Sequence, residues 1–323
     1  MARRKAKLQI YTELWTVRFV LGAIGLFPLA TSIKVGQTFV GLFSKFLTRL
    51  RFVGSRNLEL ALPELPKEKH EEILKGCFES LGRQLGFVSH FSRFTPERVR
   101  ELIDVEGLEH IRRAQAAGRG VIIFSAHFGG WEMSHLAFPA YGFDWNVLVR
   151  RIDNLPLENF VESFRTRFGS HTIDKKSSAR MMIRLLKAGE LLGIVADMNV
   201  QKHEGIFVDF FGIPASTTSG LARLALRTES VVIPIFFIWQ EKRQKYLLKI
   251  EPPLEIQKTG NNEADVKLLT EAATKEIEKT IRLFPKQWMW IHKRWNTRPP
   301  GAPNLYDYPK SKVRGQTELE SPN

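Results

Sequence analysis

The pattern of apolar positions divides the chain into two parts. In the first part, the longest apolar stretch covers residues 19–33, and residues 35–60 then mix apolar and basic positions at the spacing of amphipathic helices. Residues 68–95 continue with a helical pattern. The N-terminal part of the chain is therefore predicted to be helical.

Beyond residue 119, short apolar runs alternate with helical patterns. The clearest run is GVIIFS at 120–125, which is rich in β-branched residues and typical of a buried strand. Strands that alternate with helices indicate an α/β domain. The predicted strands are 120–125, 145–149, 191–197, 231–238 and 246–250, and the predicted helices between and after them are 155–168, 177–188, 218–228 and 263–284.

Basic residues surround the N-terminal apolar stretch. Residues 1–60 contain ten basic and two acidic side chains. The surplus of positive charge in this segment is more than half of the formal net charge of +14 of the chain. The stretch 19–33 contains Pro28 and is shorter than the roughly 20 residues that a straight membrane-spanning helix needs. Basic flanks attract anionic lipid, which favours a retained anchor on the cytoplasmic side, either spanning the membrane or lying in its interface. A cleaved signal peptide and a buried core helix are the alternatives.

Charge and cysteine content narrow the classes of function. The positive surplus favours an anionic partner, which can be nucleic acid, anionic lipid or an acidic protein. Because the basic residues cluster beside an apolar stretch and not in a nucleic-acid motif, no nucleic-acid partner is expected. Cys77 is the only cysteine, so the sequence has no disulfide framework and no thiolate metal site.

The segment SAHFGGWE, at 125–132, carries the candidate chemistry. His127 follows the first predicted strand, at the end of an α/β sheet where ligands usually bind. On a continuous helix Glu132 would point about 140° away from His127, but Gly129 and Gly130 permit a non-helical backbone that brings them together. Glu132 would then bond one imidazole nitrogen, and the other nitrogen would accept a proton from a substrate hydroxyl. His127 and Glu132 are therefore the candidate catalytic residues.

Other chemistries fit this segment less well. A single histidine at a strand end is commonly structural, which is the alternative for His127. The sequence Glu132-x-x-His135 is half of a carboxylate-bridged metal motif, and no second copy occurs. A G-x-S-x-G motif, a P-loop and a dinucleotide-binding glycine motif are all missing. We therefore expect neither a metal ion nor a cofactor.

Four blocks of sequence carry a family resemblance. After the His-Glu segment come Arg150-x-x-Asp153-Asn154, then 196–218 beginning with Ala196-Asp197, and finally the Trp-rich stretch 287–299. In this order they resemble the lipid A biosynthesis acyltransferases of lauroyl and myristoyl type, within the lysophospholipid acyltransferase superfamily and its His-x4-Asp/Glu motif. One departure is Met198, where the family often carries Gln or His.

The resemblance implies both a fold and an activity. The implied fold is a single α/β acyltransferase domain over 56–302 with a mixed central β-sheet flanked by helices. Membrane-anchoring helices at 1–55 would precede it. The composition after Pro299, with its Pro, Gly and Ser residues, predicts that 303–323 form a flexible, solvated tail. The implied activity moves a fatty acyl group from an acyl carrier protein thioester, or from acyl-coenzyme A, to a hydroxyl of a lipid A precursor. The implied location is the cytoplasmic face of the inner membrane. A glycerolipid, glycolipid or amino-acid lipid is the alternative acceptor.

Further residues receive roles from the same resemblance. The guanidinium of Arg150 suits a substrate phosphate or carboxylate, and a surface salt bridge is its alternative. Asp197 would support the site or cap a helix. The predicted substrate-binding residues are Arg150, Asn154, Asp197, Gly129 and Gly130. The helical face formed by Arg180, Arg184 and Lys187 is predicted to be solvated or to meet lipid phosphates or an acidic carrier protein.

Overall fold

The computed structural model of the protein describes residues 7–175 and 179–308. Four helices come first, and a βα domain follows. The helices are α1 (Lys7–Ile24), α2 (Leu29–Ser44), α3 (Thr48–Ala61), α4 (Lys67–Val88), α5 (Pro96–Leu102), α6 (Leu108–Ala116), α7 (Ser134–Ala140), α8 (Leu155–Arg165), α9 (Ala179–Lys187), α10 (Gly220–Thr228) and α11 (Asn262–Leu283). The strands are β1 (Ile103–Glu106), β2 (Val121–Ser125), β3 (Trp145–Val149), β4 (His171–Asp174), β5 (Leu191–Val195), β6 (Gly205–Phe210), β7 (Ile213–Thr218), β8 (Val231–Gln240) and β9 (Lys245–Ile250).

Seven strands form one central sheet in the order β1-β9-β8-β2-β5-β3-β4. The strands from β8 to β4 run parallel, whereas β9 is antiparallel to β8 and parallel to β1. β6 and β7 form a separate antiparallel pair. The predicted α/β fold with a mixed central sheet is confirmed. The parallel arrangement brings the C-terminal ends of β2, β5 and β3 to one edge of the sheet.

Both faces of the sheet are covered, which explains the continuous apolar runs of its central strands. Every residue of β2 is buried. Its alternate side chains serve two cores: Ile122 and Phe124 join the core that contains α11 and the buried tryptophans of the C-terminal block, whereas Ile123 joins the core beneath α5, α6 and α7. Packing on both faces of the sheet therefore fixes the position of the end of β2.

Pro28 breaks the N-terminal apolar stretch. α1 ends at Ile24 and α2 begins at Leu29, directly after the proline, because proline is tolerated at a helix start but not inside one. Among the described residues, none of the helices combines the length and the hydropathy required to cross a bilayer. The anchoring role expected for residues 1–55 thus has no support from a spanning helix.

The N-terminal helices and the C-terminal block are joined closely. The amide of Asn57, on α3, donates to the carbonyl oxygens of Trp290 (2.6 Å) and His292 (2.7 Å). The hydroxyl of Tyr306 donates to Asn57 Oδ1 at 2.6 Å, and Tyr306 is only 4% exposed. Within the predicted tail, Tyr306 is thus held by the domain, whereas Pro303, Asn304 and Asp307 are exposed and 309–323 lie outside the described residues.

Glycines allow the backbones of α2 and α4 to touch. A Cβ atom added at Gly36 would lie 2.3 Å from the carbonyl oxygen of Gly82, and one added at Gly86 would lie 2.6 Å from the Cα of Ile33. Side chains at these positions would force the two helices apart. This close approach attaches α2 to the domain.

Gly36→Ala is expected to destabilise the protein by about 1–3 kcal/mol, because the added methyl group overpacks a contact between backbones. Gly41→Ala, on the same helix with no atom within 4 Å of the added Cβ, is the control. It should stabilise the protein by about 0.5–1 kcal/mol, because alanine is a better helix former than glycine. Urea unfolding of the purified variants measures both. Equal midpoints for the two variants would contradict the proposed contact.

Candidate active site

The segment after β2 is drawn against β8 by its glycine residues. Gly129 has φ 55°, and a Cβ atom there would lie 1.8 Å from the carbonyl oxygen of Phe237. The N–H of Gly129 donates to the carbonyl oxygen of Gln287 at 2.8 Å, and the N–H of Gly130 donates to the carbonyl oxygen of Phe237 at 3.2 Å. The expected non-helical backbone is present. Both N–H groups are occupied within the protein, so the two glycines shape the segment that presents His127, and their binding of substrate stays a prediction that these N–H groups do not support.

A buried carboxylate holds His127. Asp197 follows the end of β5, the neighbour of β2 in the sheet, and its side chain is fully buried. Its Oδ1 accepts from His127 Nδ1 at 2.8 Å, and its Oδ2 accepts from the backbone N–H of His127 at 3.0 Å and from Trp288 Nε1 at 2.8 Å. Three donors from the protein bind the carboxylate, so its contacts are those of a positioning residue, and the substrate-binding role predicted for Asp197 stays a prediction.

The bond to Asp197 selects the tautomer of His127. Because a buried carboxylate only accepts hydrogen bonds, Nδ1 carries the proton and Nε2 keeps its lone pair. No described residue bonds Nε2, and the side chain is 25% exposed. Nε2 is therefore the atom that faces a substrate.

Electrostatics in the site favour a proton on His127. Burial alone would lower the pKa of His127, but the charge and hydrogen bond of Asp197, together with the charge of Glu132, outweigh it and raise the pKa above its ordinary value. Burial would raise the pKa of Asp197, but the charge of His127 and its hydrogen bond, aided by the bond from Trp288, hold that pKa well below its usual range. When His127 is protonated, His127 and Asp197 form an imidazolium–carboxylate ion pair.

Glu132 has a different partner from the one expected. Its carboxylate accepts two hydrogen bonds from Arg165, at the C-terminal end of α8, with distances of 2.9 Å and 3.2 Å. Burial would raise the pKa of Glu132, but Arg165 and His135 lower it below its usual value, so Glu132 is ionised. The expectation that Glu132 bonds the imidazole is therefore corrected, because Asp197 occupies that position. Glu132 acts on His127 through its charge.

The second block of the sequence supplies residues of two kinds. Arg150 is exposed directly after β3, at the same edge of the sheet as His127, and it bonds no described residue. Asn154 is 1% exposed; its Oδ1 caps α8 at the N–H of Leu157, and its Nδ2 donates to the carbonyl of Ile10 and to Glu13. Both amide protons of Asn154 join α8 to α1, so the substrate-binding role predicted for Asn154 stays a prediction that its amide contacts do not support.

Comparison with known proteins identifies the family. The family model described as bacterial lipid A biosynthesis acyltransferase matches residues 1–297. The chain belongs to this family. It is 28% identical to the lipid A biosynthesis palmitoleoyltransferase of Escherichia coli (strain K12), over 92% of this chain and 96% of that relative. It is also 28% identical to the lauroyltransferase of the same strain, over 92% and 95%, and to a lipid A biosynthesis acyltransferase of Haemophilus influenzae, over 84% and 87%.

Family membership makes the protein an acyltransferase, as the four ordered blocks predicted. In this lipid A acyltransferase, Arg165 and Trp288 are site residues that the sequence did not single out. Arg165 lies 33 positions after Glu132 with no motif around it. Trp288 belongs to the C-terminal block that carries part of the family resemblance, but its indole N–H was not predicted to reach the site.

Asp197→Asn is expected to move the acid limb of the pH profile of kcat/KM to lower pH. The base works only when neutral, so activity rises with pH through the pKa of His127, and loss of the Asp197 charge lowers that pKa. The plateau should also fall, by about 10²-fold or more. If the asparagine oxygen accepts from the backbone N–H of His127 and from the Trp288 indole, its NH₂ group faces His127 Nδ1. Nδ1 must then accept a hydrogen bond, so the proton of the neutral imidazole moves to Nε2.

Trp288→Phe is the control for Asp197→Asn. It removes one donor to Asp197 but keeps the negative charge, so the acid limb should not move to lower pH. Circular dichroism of both variants checks that they are folded. An unshifted acid limb in folded Asp197→Asn would show that Asp197 does not set the pKa of His127.

Proposed function

We propose that this enzyme transfers a fatty acyl group from a thioester to a hydroxyl of a lipid A precursor, with His127 as the general base. The observation that carries the proposal is the bond from His127 Nδ1 to the buried Asp197, which leaves Nε2 as an unprotonated nitrogen at the sheet edge. The names of the relatives, which are palmitoleoyl-, lauroyl- and myristoyltransferases of lipid A biosynthesis, support the substrate class.

The reaction needs one base and no protein nucleophile. Nε2 of His127 takes the proton from the acceptor hydroxyl, and the oxygen attacks the thioester carbonyl carbon. A C–O bond forms, the C–S bond breaks, and the imidazolium returns the proton to the leaving thiolate. The ionised Asp197 and Glu132 stabilise the imidazolium between these steps.

Glu132 contributes as part of an ion pair. Its bidentate contact with Arg165 fixes the carboxylate in position near His127. Because Glu132→Gln removes the charge but keeps the shape, it should lower turnover, and it should also lower the melting temperature because Arg165 loses its counterion. This retains Glu132 as a catalytic residue, with an electrostatic task instead of a direct hydrogen bond.

Arg150 is suited to the anionic group of a substrate. Its guanidinium is exposed at the edge of the sheet that presents His127, and no described carboxylate neutralises it. Arg151, its neighbour, has Asp174 at 3.8 Å. A phosphate on the acceptor lipid is a fitting partner for Arg150, because guanidinium binds phosphate oxygens with two parallel hydrogen bonds.

The donor is proposed to be an acyl carrier protein thioester. The three basic residues Arg180, Arg184 and Lys187 are exposed on α9, whose opposite side buries Met182 and Leu186. A carrier protein is acidic and contacts a broad surface, whereas coenzyme A contacts only a few groups. The overall charge of +14 strengthens attraction to such a partner.

Competition between donors tests the proposed function. Purified enzyme receives a lipid A precursor with equal amounts of carrier-bound and coenzyme A-bound acyl groups of one length, distinguished by isotopic label. We expect mass spectrometry to find the carrier's label in the product, and His127→Ala to lower the rate by about 10²–10⁴-fold. Charge reversal of Arg180 and Arg184 should raise the KM for the carrier only. Transfer at the wild-type rate by His127→Ala would refute the mechanism, and exclusive use of coenzyme A would refute the donor.

The protein is proposed to lie on the cytoplasmic face of the inner membrane through α1 and α2. These helices and the turns that flank them expose large apolar side chains, among which Leu8, Phe19, Leu26 and Phe46 are at least 76% exposed. Lys34, Lys45 and Arg49 are exposed in the same region. Exposed apolar residues beside basic ones fit an anionic membrane surface, into which a helix inserts one face without crossing.

Substitutions Phe43→Glu and Phe46→Glu together should reduce binding to anionic vesicles at least about ten-fold, because two aromatic side chains lose their burial in lipid. Point substitutions are preferable to deletion of the N-terminal segment, because deletion would expose the surface of α4 that packs against α2. Leu268→Glu with Leu283→Glu, two exposed positions on α11, is the matched control and should bind normally. Vesicle flotation measures both pairs. Equal binding by the two double variants would place the membrane contact elsewhere.

A further inference from the structure

The loop between β3 and α8, residues 150–155, exposes two large apolar side chains at the edge of the sheet that presents His127. Ile152 and Leu155 are 38% and 63% exposed. Only β5 separates β3 from β2, and neighbouring strands lie about 5 Å apart, so the loop begins about 10 Å from the end of the strand that leads to His127. The reaction proposed above uses neither side chain.

Hydrogen bonds fix the backbone of this loop. The N–H of Ile152 donates to the carboxylate of the buried Glu158 at 2.8 Å. Asn154, which lies between the two apolar residues, is buried and accepts from the N–H of Leu157 at 3.1 Å, so it caps α8. The loop therefore holds Ile152 and Leu155 toward solvent as part of the fold.

The same asparagine joins the loop to α1. Its Nδ2 donates to the carbonyl oxygen of Ile10 at 2.8 Å and to the carboxylate of Glu13 at 2.9 Å. Arg18, also on α1, lies over the ring of Phe160 on α8 at 5.2 Å. Exposed apolar residues recur on α1 at intervals of three or four positions, which places them on one face of the helix. They are Leu8, Tyr11, Trp15 and Phe19. The loop and α1 thus expose apolar surface side by side.

The charge of the loop fits an anionic lipid surface. Arg150 and Arg151 are exposed, and Asp153 is the single acidic residue between positions 150 and 155. Exposed apolar side chains beside arginines are typical of segments that enter the interface of an anionic membrane. An acidic carrier protein would also attract the arginines, but it would not account for the continuation of the apolar surface onto α1. The two features together favour a membrane.

We propose that the loop 150–155 is a second membrane contact, in which Ile152 and Leu155 enter the lipid interface beside α1. The edge of the sheet that presents His127 then lies against the membrane surface. The inference rests on the proposed function, because the membrane is taken as the source of the lipid acceptor. An acceptor hydroxyl can then reach Nε2 of His127 while the hydrocarbon chains of the acceptor remain in the bilayer.

Fluorescent labels test the contact directly. Cys77 is the only native cysteine and is buried, so a thiol reagent modifies an introduced cysteine selectively. In purified full-length enzyme, Leu155→Cys receives an environment-sensitive fluorophore. Leu283→Cys on α11 is the matched control, because Leu155 and Leu283 are 63% and 64% exposed. Vesicles of equal parts phosphatidylcholine and phosphatidylglycerol should shift the emission from position 155 to the blue, and spin-labelled lipid should quench it.

The label at position 283 should show neither change. Equal responses at the two positions would overturn the proposal, because they would report binding without a preferred orientation. A label at position 155 that ignores vesicles and responds to acyl carrier protein would also overturn it, since the loop would then belong to the donor site.

Activity tests the consequence for the acceptor. Ile152→Glu with Leu155→Glu should lower transfer to a lipid A precursor in vesicles at least about ten-fold, because two apolar side chains lose their burial in lipid. The same double variant should transfer to detergent-dispersed precursor at the wild-type rate, which also shows that it is folded. Leu268→Glu with Leu283→Glu, at positions that are 38% and 64% exposed, is the matched control and should keep the wild-type rate in both media.

The outcomes distinguish this inference from the proposed function. Wild-type transfer in vesicles by the double variant at 152 and 155 would overturn the inference alone. An equal loss in vesicles and in detergent would overturn it as well, because the loop would then contact a substrate and not the membrane. If the wild-type enzyme transfers no acyl group in either medium, the proposed function fails, and the fluorescence from position 155 still decides whether the loop meets the membrane.

Discussion

The structure depends on one buried carboxylate. Asp197 is inaccessible to solvent, and a buried anion is tolerated only when charges and hydrogen bonds compensate its lost hydration. The compensation comes from the backbone and ring of His127 and from the indole of Trp288. These three donors come from two separated parts of the chain. The requirement to satisfy Asp197 therefore fixes where the segment after β2 and the C-terminal block lie with respect to β5.

Other buried charges follow the same principle with different partners. Arg294 is 1% exposed and donates to the Ser216 carbonyl and the Thr217 hydroxyl, and it lies over the ring of Phe210 at 4.9 Å. Burial lowers its pKa to about 10. Glu132 and Arg165 form a half-buried ion pair near His127. Nε2 of His127 and the Arg150 guanidinium bond no described residue, and both side chains are accessible to solvent.

Local pattern predicted much of the fold and part of the site. The five predicted strands and the helices between them are present, with differences of a few residues at their ends, because strong apolar runs such as 120–125 reflect burial on both faces. The short strands β1 and β4 and the β6–β7 pair have weaker patterns: β4, for example, buries only Ile173. β1 depends on pairing with the distant strand β9, which a local pattern does not record, whereas β6 and β7 pair with each other across a short turn.

The site was predicted at the level of residues but not of contacts. His127, Glu132 and Asp197 were all singled out, yet the spacing of His127 and Glu132 led to a direct bond between them. That reasoning considered only the two residues in one segment. It could not include Asp197, which reaches His127 from 70 positions away, or Arg165, which takes both oxygens of Glu132. Hydrogen-bond competition across strands decided the outcome, and single-sequence spacing contains no information about it.

The contacts of Asn57 and Asp197 with the last block of the chain also govern the order of assembly. Asn57 bonds residues 233 and 235 positions later, and Asp197 bonds Trp288, 91 positions later. Because synthesis proceeds from the N-terminus, the first helices and the whole sheet leave the ribosome before these partners exist. Until Trp288 emerges, the Asp197 carboxylate lacks one of its three donors. The histidine that it orients can therefore reach its final state only after Trp288 has been synthesised.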